Sequence, residues 1–349
     1  MEIAWLNQAP HVQEVEKDKL GDVFSALNDG TEPVVIRNLV SHWPSVQAAT
    51  NSNDAWLDYL MGFAGKHPVT VYRNAPTEKG RIFYDGEGTG FNFQAARKPM
   101  QEVKQALSRA AKGLDDNTYY IGSTVLNNFF PGFRDENHLP TSLTPFDPLV
   151  SLWLGTKSRI AAHYDFPQNL ACCVSGKRRF TLFKPDMVHH LYAGPADFTP
   201  AGQPISLVDF YEPDLQCFPK FEQAMDQAIV AELQPGDALF IPSMWWHHVE
   251  GLGSINGLVN YWWRNSPSHL GTPRDVLTHA LLSLKSLPQA QKQAWKHLFD
   301  YYIFDSDDDI KTVIADAWRK GPTWQEQGLS EEQARQIQRH LFERLKRNG

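Results

Sequence analysis

HYDFPQNLACCVSGKRRFTLFKP, residues 163–185, holds two short β-rich segments, "NLACCVSG" and "RRFTLFKP", broken at Ser175-Gly176-Lys177. Runs of this length, bounded by turn residues, read as strands. At its head, His163 and Asp165 stand two positions apart. Alternate side chains of an extended chain share a face, so an imidazole nitrogen and a carboxylate oxygen point to one side. One further imidazole would complete two neutral histidines and a carboxylate on one face of a metal, which suits non-haem Fe(II) and leaves its other positions open.

A second stretch supplies that donor. PGDALFIPSMWWHHVEGL, residues 235–252, opens on Pro235-Gly236, the pair a type II turn favours at its two central positions. Leu239, Ile241, His247 and Val249 share one parity; Phe240, Trp246 and His248 share the other. The first set carries no charged residue and reads as inward-facing, which selects His247 as the third ligand. His248, followed by Glu250, is left as a supporting or structural residue. A histidine and an aspartate spaced by one residue are a weak signal alone. The second element raises it, because early and late strands of a closed barrel lie side by side although Asp165 and His247 are 82 positions apart (247 − 165).

Around these stretches the texture is strand and turn from about 118 to 265. "YYIGSTVL", "LVSLWLG", "AIVAEL", "ALFIP" and "LVNYWW" join the two segments above. Many short strands at fairly even spacing predict a sandwich or barrel. Upstream, "EPVVIRNLV" (32–40) and "VTVYRN" (69–74) read as strands. "QEVKQALSRAAKG" (101–113) places Val103, Leu107 and Ala110 at helical spacing and ends on Gly113. Beyond 265 the pattern is helical. Ser330 and Gln333 form a capping box ahead of a stripe of Ala334, Ile337, Leu341 and Leu345. The expected organisation is therefore a mixed α/β segment at 1–117, a β core at 118–265 and a helical segment at 266–349. The last stripe would pack on its own barrel or make a homodimer, and the dimer is the preferred reading.

The 349 residues are 42% hydrophobic and 21% charged, enough for a sizeable core, and the net charge is −7. That balance speaks against a nucleic-acid substrate, and the only short basic run is "RLKRNG" at 344–349. The start lacks a basic segment followed by an apolar one, so no signal peptide is expected. No apolar run reaches the roughly 20 residues a membrane helix needs. Cys172, Cys173 and Cys217 match neither a disulfide framework nor a zinc knuckle, and a reducing cytoplasm is the expected setting.

Taken together, "HYDFPQNLACCVSGKRRFTLFKP", "PGDALFIPSMWWHHVEGL" and "LVNYWW" resemble the Jumonji-C/cupin-8 family of Fe(II)- and 2-oxoglutarate-dependent oxygenases, nearest its asparaginyl hydroxylase branch. The resemblance covers about 118–265 and extends upstream to "PVVIRNLV". It implies a mainly β, double-stranded β-helix (jelly-roll or cupin) core with flanking α-helices. It also implies Fe(II), 2-oxoglutarate as cosubstrate, and O₂. The family's metal ligands fall on His163, Asp165 and His247, in agreement with the parity argument. The implied activity is oxidative hydroxylation of a C–H bond, here expected on a protein or peptide side chain.

A bound 2-oxoglutarate carries a far carboxylate that must meet a cation. Arg178 shares parity with Phe180 and Leu182, and its planar fork fits a carboxylate in bidentate fashion. The resemblance places a basic residue there, though lysine in the asparaginyl hydroxylase. The competing reading is a buried ion pair with an aspartate or glutamate. Three more positions match the family's pattern: Asn169, Asn260 and Tyr120, with Tyr119 an equal candidate by sequence. A threonine common in the related hydroxylase, three positions before the first histidine, is Ile160 here. A zinc cupin isomerase, or a cupin binding module without turnover, are the alternatives. Zinc accepts the same three ligands but leaves Arg178 unexplained, and the intact triad argues against a module without turnover.

Overall fold

The computed structural model describes residues 3–19, 27, 30–139, 147–200, 202–304 and 329–348. The fourteen strands among them are β1 (Gln13–Glu16), β2 (Val34–Arg37), β3 (Val69–Asn74), β4 (Arg81–Ile82), β5 (Phe93–Lys98), β6 (Thr118–Val125), β7 (Leu149–Gly155) and β8 (Ser158–Tyr164), followed by β9 (Gln168–Ser175), β10 (Arg178–Phe183), β11 (Ile229–Leu233), β12 (Ala238–Ile241), β13 (Trp246–Gly251) and β14 (Asn256–Trp263). They form a nine-stranded sheet in the order β1-β2-β12-β9-β14-β7-β6-β3-β5 and a five-stranded sheet in the order β11-β10-β13-β8-β4. Most pairings are antiparallel, and the chain passes from one sheet to the other at β8–β9 and again at β12–β13. This is the expected double-stranded β-helix. The histidines lie on β8 and β13, two strands whose bounds the sequence reading does not give.

The central strands explain the unbroken apolar runs. All eight residues of β9 are buried, because both faces of the large sheet are covered. Leu170, Cys172 and Val174 face an outer core built with Trp43, Trp56, Leu60 and Leu107 from the N-terminal segment. Ala171 and Cys173 face the barrel interior with Phe180, Leu182, Leu239, Ile241 and Val249. A strand buried on both faces needs no polar alternation. The other face of the small sheet packs Phe183, Trp246 and Ala162 on Phe210 and Phe221.

Turn chemistry follows the residues. Gly236 has φ +104°, and Asp237 donates its N–H to the Gln234 carbonyl, closing the turn read from Pro235-Gly236. Asp237 then ties this turn to β2: its carboxylate accepts from Arg37 at 2.6 Å and from the Asn38 backbone N–H at 3.1 Å. The helix Met100–Ala111 buries Val103 and Leu107. It ends in paired bonds from the Gly113 N–H to the Ala110 carbonyl and from the Leu114 N–H to the Arg109 carbonyl. Gly113, at φ +68°, takes the left-handed position such an ending requires.

The chain divides into two compact units, Met1–Asn265 and Ser266–Gly349. The first unites the N-terminal segment with the barrel strands. The second holds the helices Pro273–Leu284, Gln289–Phe299 and Glu331–Asn348. The capping box forms as expected: Gln333 donates its N–H to Ser330 Oγ at 3.2 Å, and its side-chain oxygen accepts the Ser330 N–H at 2.8 Å. No described helix is long and apolar enough to cross a membrane.

Candidate metal centre

β8 and β13 run antiparallel with His163 directly opposite His247, and their ring centroids are 4.4 Å apart. Beyond that pair the register slips: Val249 faces Ile160, so Ala161 and Ala162 together oppose His248. Two residues facing one define a β-bulge. The bulge lets both Ile160 and His163 turn inward although they are an odd number of positions apart. Each ligand imidazole is anchored by its own strand. His163 Nδ1 lies 2.9 Å from the Ala161 carbonyl and His247 Nδ1 lies 3.0 Å from the Trp245 carbonyl. Those contacts set Nδ1 as donor and turn Nε2 toward the site, as in histidines that ligate metals.

Asp165 sits one residue beyond β8. Its Oδ2 is 3.5 Å from His247 Nε2 and accepts from Asn169 Nδ2 at 3.3 Å. One donor atom from each of His163, Asp165 and His247 lies within 4.8 Å of the other two. Burial holds the His163 imidazole at about 4, and the neighbouring His247 pushes the same way. Burial would raise the Asp165 carboxyl, but the hydrogen bond and charge of His247, with His163 and Asn169, outweigh it and leave it lowered. Around neutral pH this is a neutral imidazole beside an ionised carboxylate, the protonation state a divalent cation needs. The donor set and its tautomers fit a facial site for iron.

Behind the triad, the barrel interior carries polar groups without protein partners. Arg178 is 3% exposed and stands between β11 and β13, opposite Leu233 and Gly251. Its Nε has no hydrogen-bond partner, and among the described residues no carboxylate reaches it. Burial lowers its pKa, with Tyr120 and Cys173 pulling the other way. The neighbouring Arg179 points to the opposite face and takes the ion pair instead, with Nε and Nη2 at 2.7 and 2.9 Å from the Glu250 carboxylate. Asn169 Oδ1, Asn260 Nδ2 and Ser151 Oγ are also buried without partners. Asn260 Oδ1 accepts from Trp153 Nε1 at 2.8 Å.

The two tyrosines separate clearly. Tyr119 donates its hydroxyl to Asp115 at 2.7 Å. Tyr120 is 7% exposed, packs 6.2 Å from Trp153, and feels the charges of Arg178 and Asp165. Burial raises its pKa. Tyr120 is therefore the one that faces inward. His248 turns away from the triad and stacks on Phe210 at 4.7 Å. Ser151, Trp153 and Trp262 were missed by sequence reasoning. Ser151 lies opposite Asn260, and Trp153 and Trp262 pack edge to face at 5.7 Å. Parity with Asn260 across the β7–β14 pairing is the signal that would have found them.

The sequence of the cupin-like domain family matches residues 21–269. The chain is 31% identical to the tRNA wybutosine-synthesizing protein 5 of Danio rerio over 190 residues, 49% of this chain and 55% of that protein. It is 31% identical to the HSPB1-associated protein 1 of Mus musculus over 280 residues, 76% of this chain and 54% of that protein. It is 32% identical to the lysine-specific demethylase JMJ31 of Arabidopsis thaliana over 267 residues, 68% of this chain and 48% of that protein. The chain spans about half the length of these relatives.

Proposed function

The chain belongs to the cupin-like, Jumonji-C-type family of 2-oxoglutarate oxygenases, and on that premise we propose that it is an Fe(II)- and 2-oxoglutarate-dependent hydroxylase of a protein or peptide side chain. The observation that carries this reading is the convergence of His163, Asp165 and His247 in a barrel that also buries Arg178, which meets no carboxylate among the described residues. His163, Asp165 and His247 would hold the iron, which when bound supplies activation of O₂ coupled to decarboxylation of 2-oxoglutarate. Arg178 would meet the far carboxylate, with the Tyr120 hydroxyl beside it. Asn169 and Asn260 have spare hydrogen-bonding capacity for the cosubstrate. The apolar barrel around them excludes water.

A macromolecular substrate is supported by the relatives' names, which include a lysine-specific demethylase and a tRNA-modifying protein. The net charge of −7 favours protein over tRNA. The reading extends to a cytoplasmic homodimer, supported by buried free thiols at Cys172 and Cys173 and by the apolar residues exposed on the C-terminal helices.

The test is succinate release from 2-oxoglutarate with added Fe(II), across a panel of peptides that includes methyl-lysine. His163→Ala and Asp165→Ala are each expected to abolish turnover while circular dichroism stays unchanged. Arg178→Ala should raise the 2-oxoglutarate KM by about 10–100-fold, the scale of a lost hydrogen bond between charged groups. A chain that binds zinc and releases no succinate with Fe(II) would support the isomerase or binding-module alternatives, and full activity without His163 would end the metal assignment.

A further inference from the structure

His163 and His247 are held by strand pairing, but Asp165 lies past the end of β8, where no ladder holds it. Its position is set from across the barrel mouth, by the bend between β12 and β13. The Met244 N–H donates to the Asp165 carbonyl at 2.9 Å. Ser243 donates its hydroxyl to the Phe166 carbonyl at 2.6 Å and its N–H to Gln168 Oε1 at 2.8 Å. Met244 reaches this geometry with φ +67°, a left-handed conformation unfavourable for a residue with a Cβ. Such backbone persists only where its surroundings over-determine it. The Trp245 indole, bonded to the Thr31 carbonyl at 3.0 Å, secures the far side of the bend.

The location gives the arrangement its consequence. β8 and β13 belong to the five-stranded sheet, β9 and β12 to the nine-stranded one. Residues 165–167 and 242–245 are thus two corners where the chain changes sheets, lying side by side. Bonds between them fix the distance from the histidine-bearing sheet to the sheet that carries Asn169. We propose that Ser243 and Gln168 are positioning residues for Asp165: they clamp the two corners so that its carboxylate meets the imidazoles at metal-binding distance. This rests on the metal-site reading above.

The test is isothermal titration of the metal-free 349-residue chain with Mn(II) alone, which reads binding without turnover. Ser243→Ala and Gln168→Met should each raise the Mn(II) Kd about tenfold, the low end for lost ligand-supporting bonds. Ser243→Thr keeps a hydroxyl and should stay within twofold of the parent. Ser45→Ala is the control. It removes a buried bond, 2.9 Å from Trp56 Nε1 to Ser45 Oγ, in the outer core. It should lower the melting temperature and leave the Mn(II) Kd unchanged. Unaltered affinity in both Ser243→Ala and Gln168→Met, or an equal loss in Ser45→Ala, would overturn the clamp. A parent chain that takes up no Mn(II), or takes it up equally well as His163→Ala, would overturn the metal site itself and the clamp with it.

Discussion

At the scale of single residues, the partly buried His163 and the buried His248 give the molecule a defined response to acid. Burial holds both His163 and His248 at about 4; Glu250 pulls His248 back upward, and His247 pushes His163 further down. An unfolded histidine titrates near 6.5. Between about 4 and 6.5 the unfolded chain therefore binds more protons than the folded one. Stability of the metal-free protein must rise with pH across that window and be lost as pH falls through it. The slope is at most about 1.4 kcal/mol per pH unit for each group. Urea midpoints measured in chelator at pH 7 and pH 5 should show the loss, and His248→Phe should lessen it. A midpoint indifferent to this change of pH would contradict the buried neutral state.

At the scale of elements, two glycines mark where packing leaves no room. Gly176 joins β9 to β10 at φ +72°, and a Cβ there would lie 2.3 Å from the Ile255 carbonyl oxygen. Gly176→Ala should destabilise the protein by about 2–3 kcal/mol, from left-handed strain and the clash together. Because Arg178 follows two residues later, the 2-oxoglutarate KM should rise as well. Gly257 in β14 lies beneath the Trp56 ring, 2.2 Å from where its Cβ would stand. Gly257→Ala would push the helix Asn53–Met61 off the large sheet, yet it should leave Mn(II) affinity nearly intact, because that contact is on the outer face. Denaturant midpoints paired with metal titration separate the two effects. That same helix is capped by Ser52, whose hydroxyl accepts the Ala55 N–H at 3.0 Å. Ser52→Ala should cost about 1 kcal/mol.

At the scale of the whole molecule, the two compact units differ in character. In Met1–Asn265, the described residues form four apolar clusters packed on the two sheets. In Ser266–Gly349, large apolar side chains stand exposed, among them Leu282 at 76%, Phe304 at 72% and Phe342 at 56%. Exposed apolar patches of that kind support the proposed dimer, because such patches commonly mark association surfaces. Sedimentation equilibrium should report a dimer, and Leu341→Glu combined with Leu345→Glu should yield a monomer. A parent protein that sediments as a monomer at micromolar concentration would remove the dimer from the proposed reading.

Much of the barrel was legible in the residues themselves. β3 appears over the same six residues that the pattern of "VTVYRN" marks, the Pro235-Gly236 turn closes as read, and the capping box at Ser330 forms both of its bonds. Face is a local property, so parity placed His247 and Arg178 on the same side as their apolar neighbours, while Asn169 came from the family's pattern. What parity cannot carry is register. The pairing of His163 with His247, the bulge at Ala161-Ala162, the lack of a carboxylate at Arg178 among the described residues and the separation of Tyr119 from Tyr120 each depend on which distant strand lies alongside. The sequence reads His163–Asp165 as extended and His247 as ending a late strand, but the bounds of β8 and β13 escape it because their buried polar residues, Arg159, His247, His248 and Glu250, break the apolar signature of an inner strand. The burial of Arg159, His247 and Glu250 is offset by hydrogen-bond partners, such as Arg179 for Glu250. Composition and alternation determined the kind of fold and the inward faces; only packing of remote segments decided which polar groups meet, because hydrogen-bond and ion-pair partners are chosen by proximity in space.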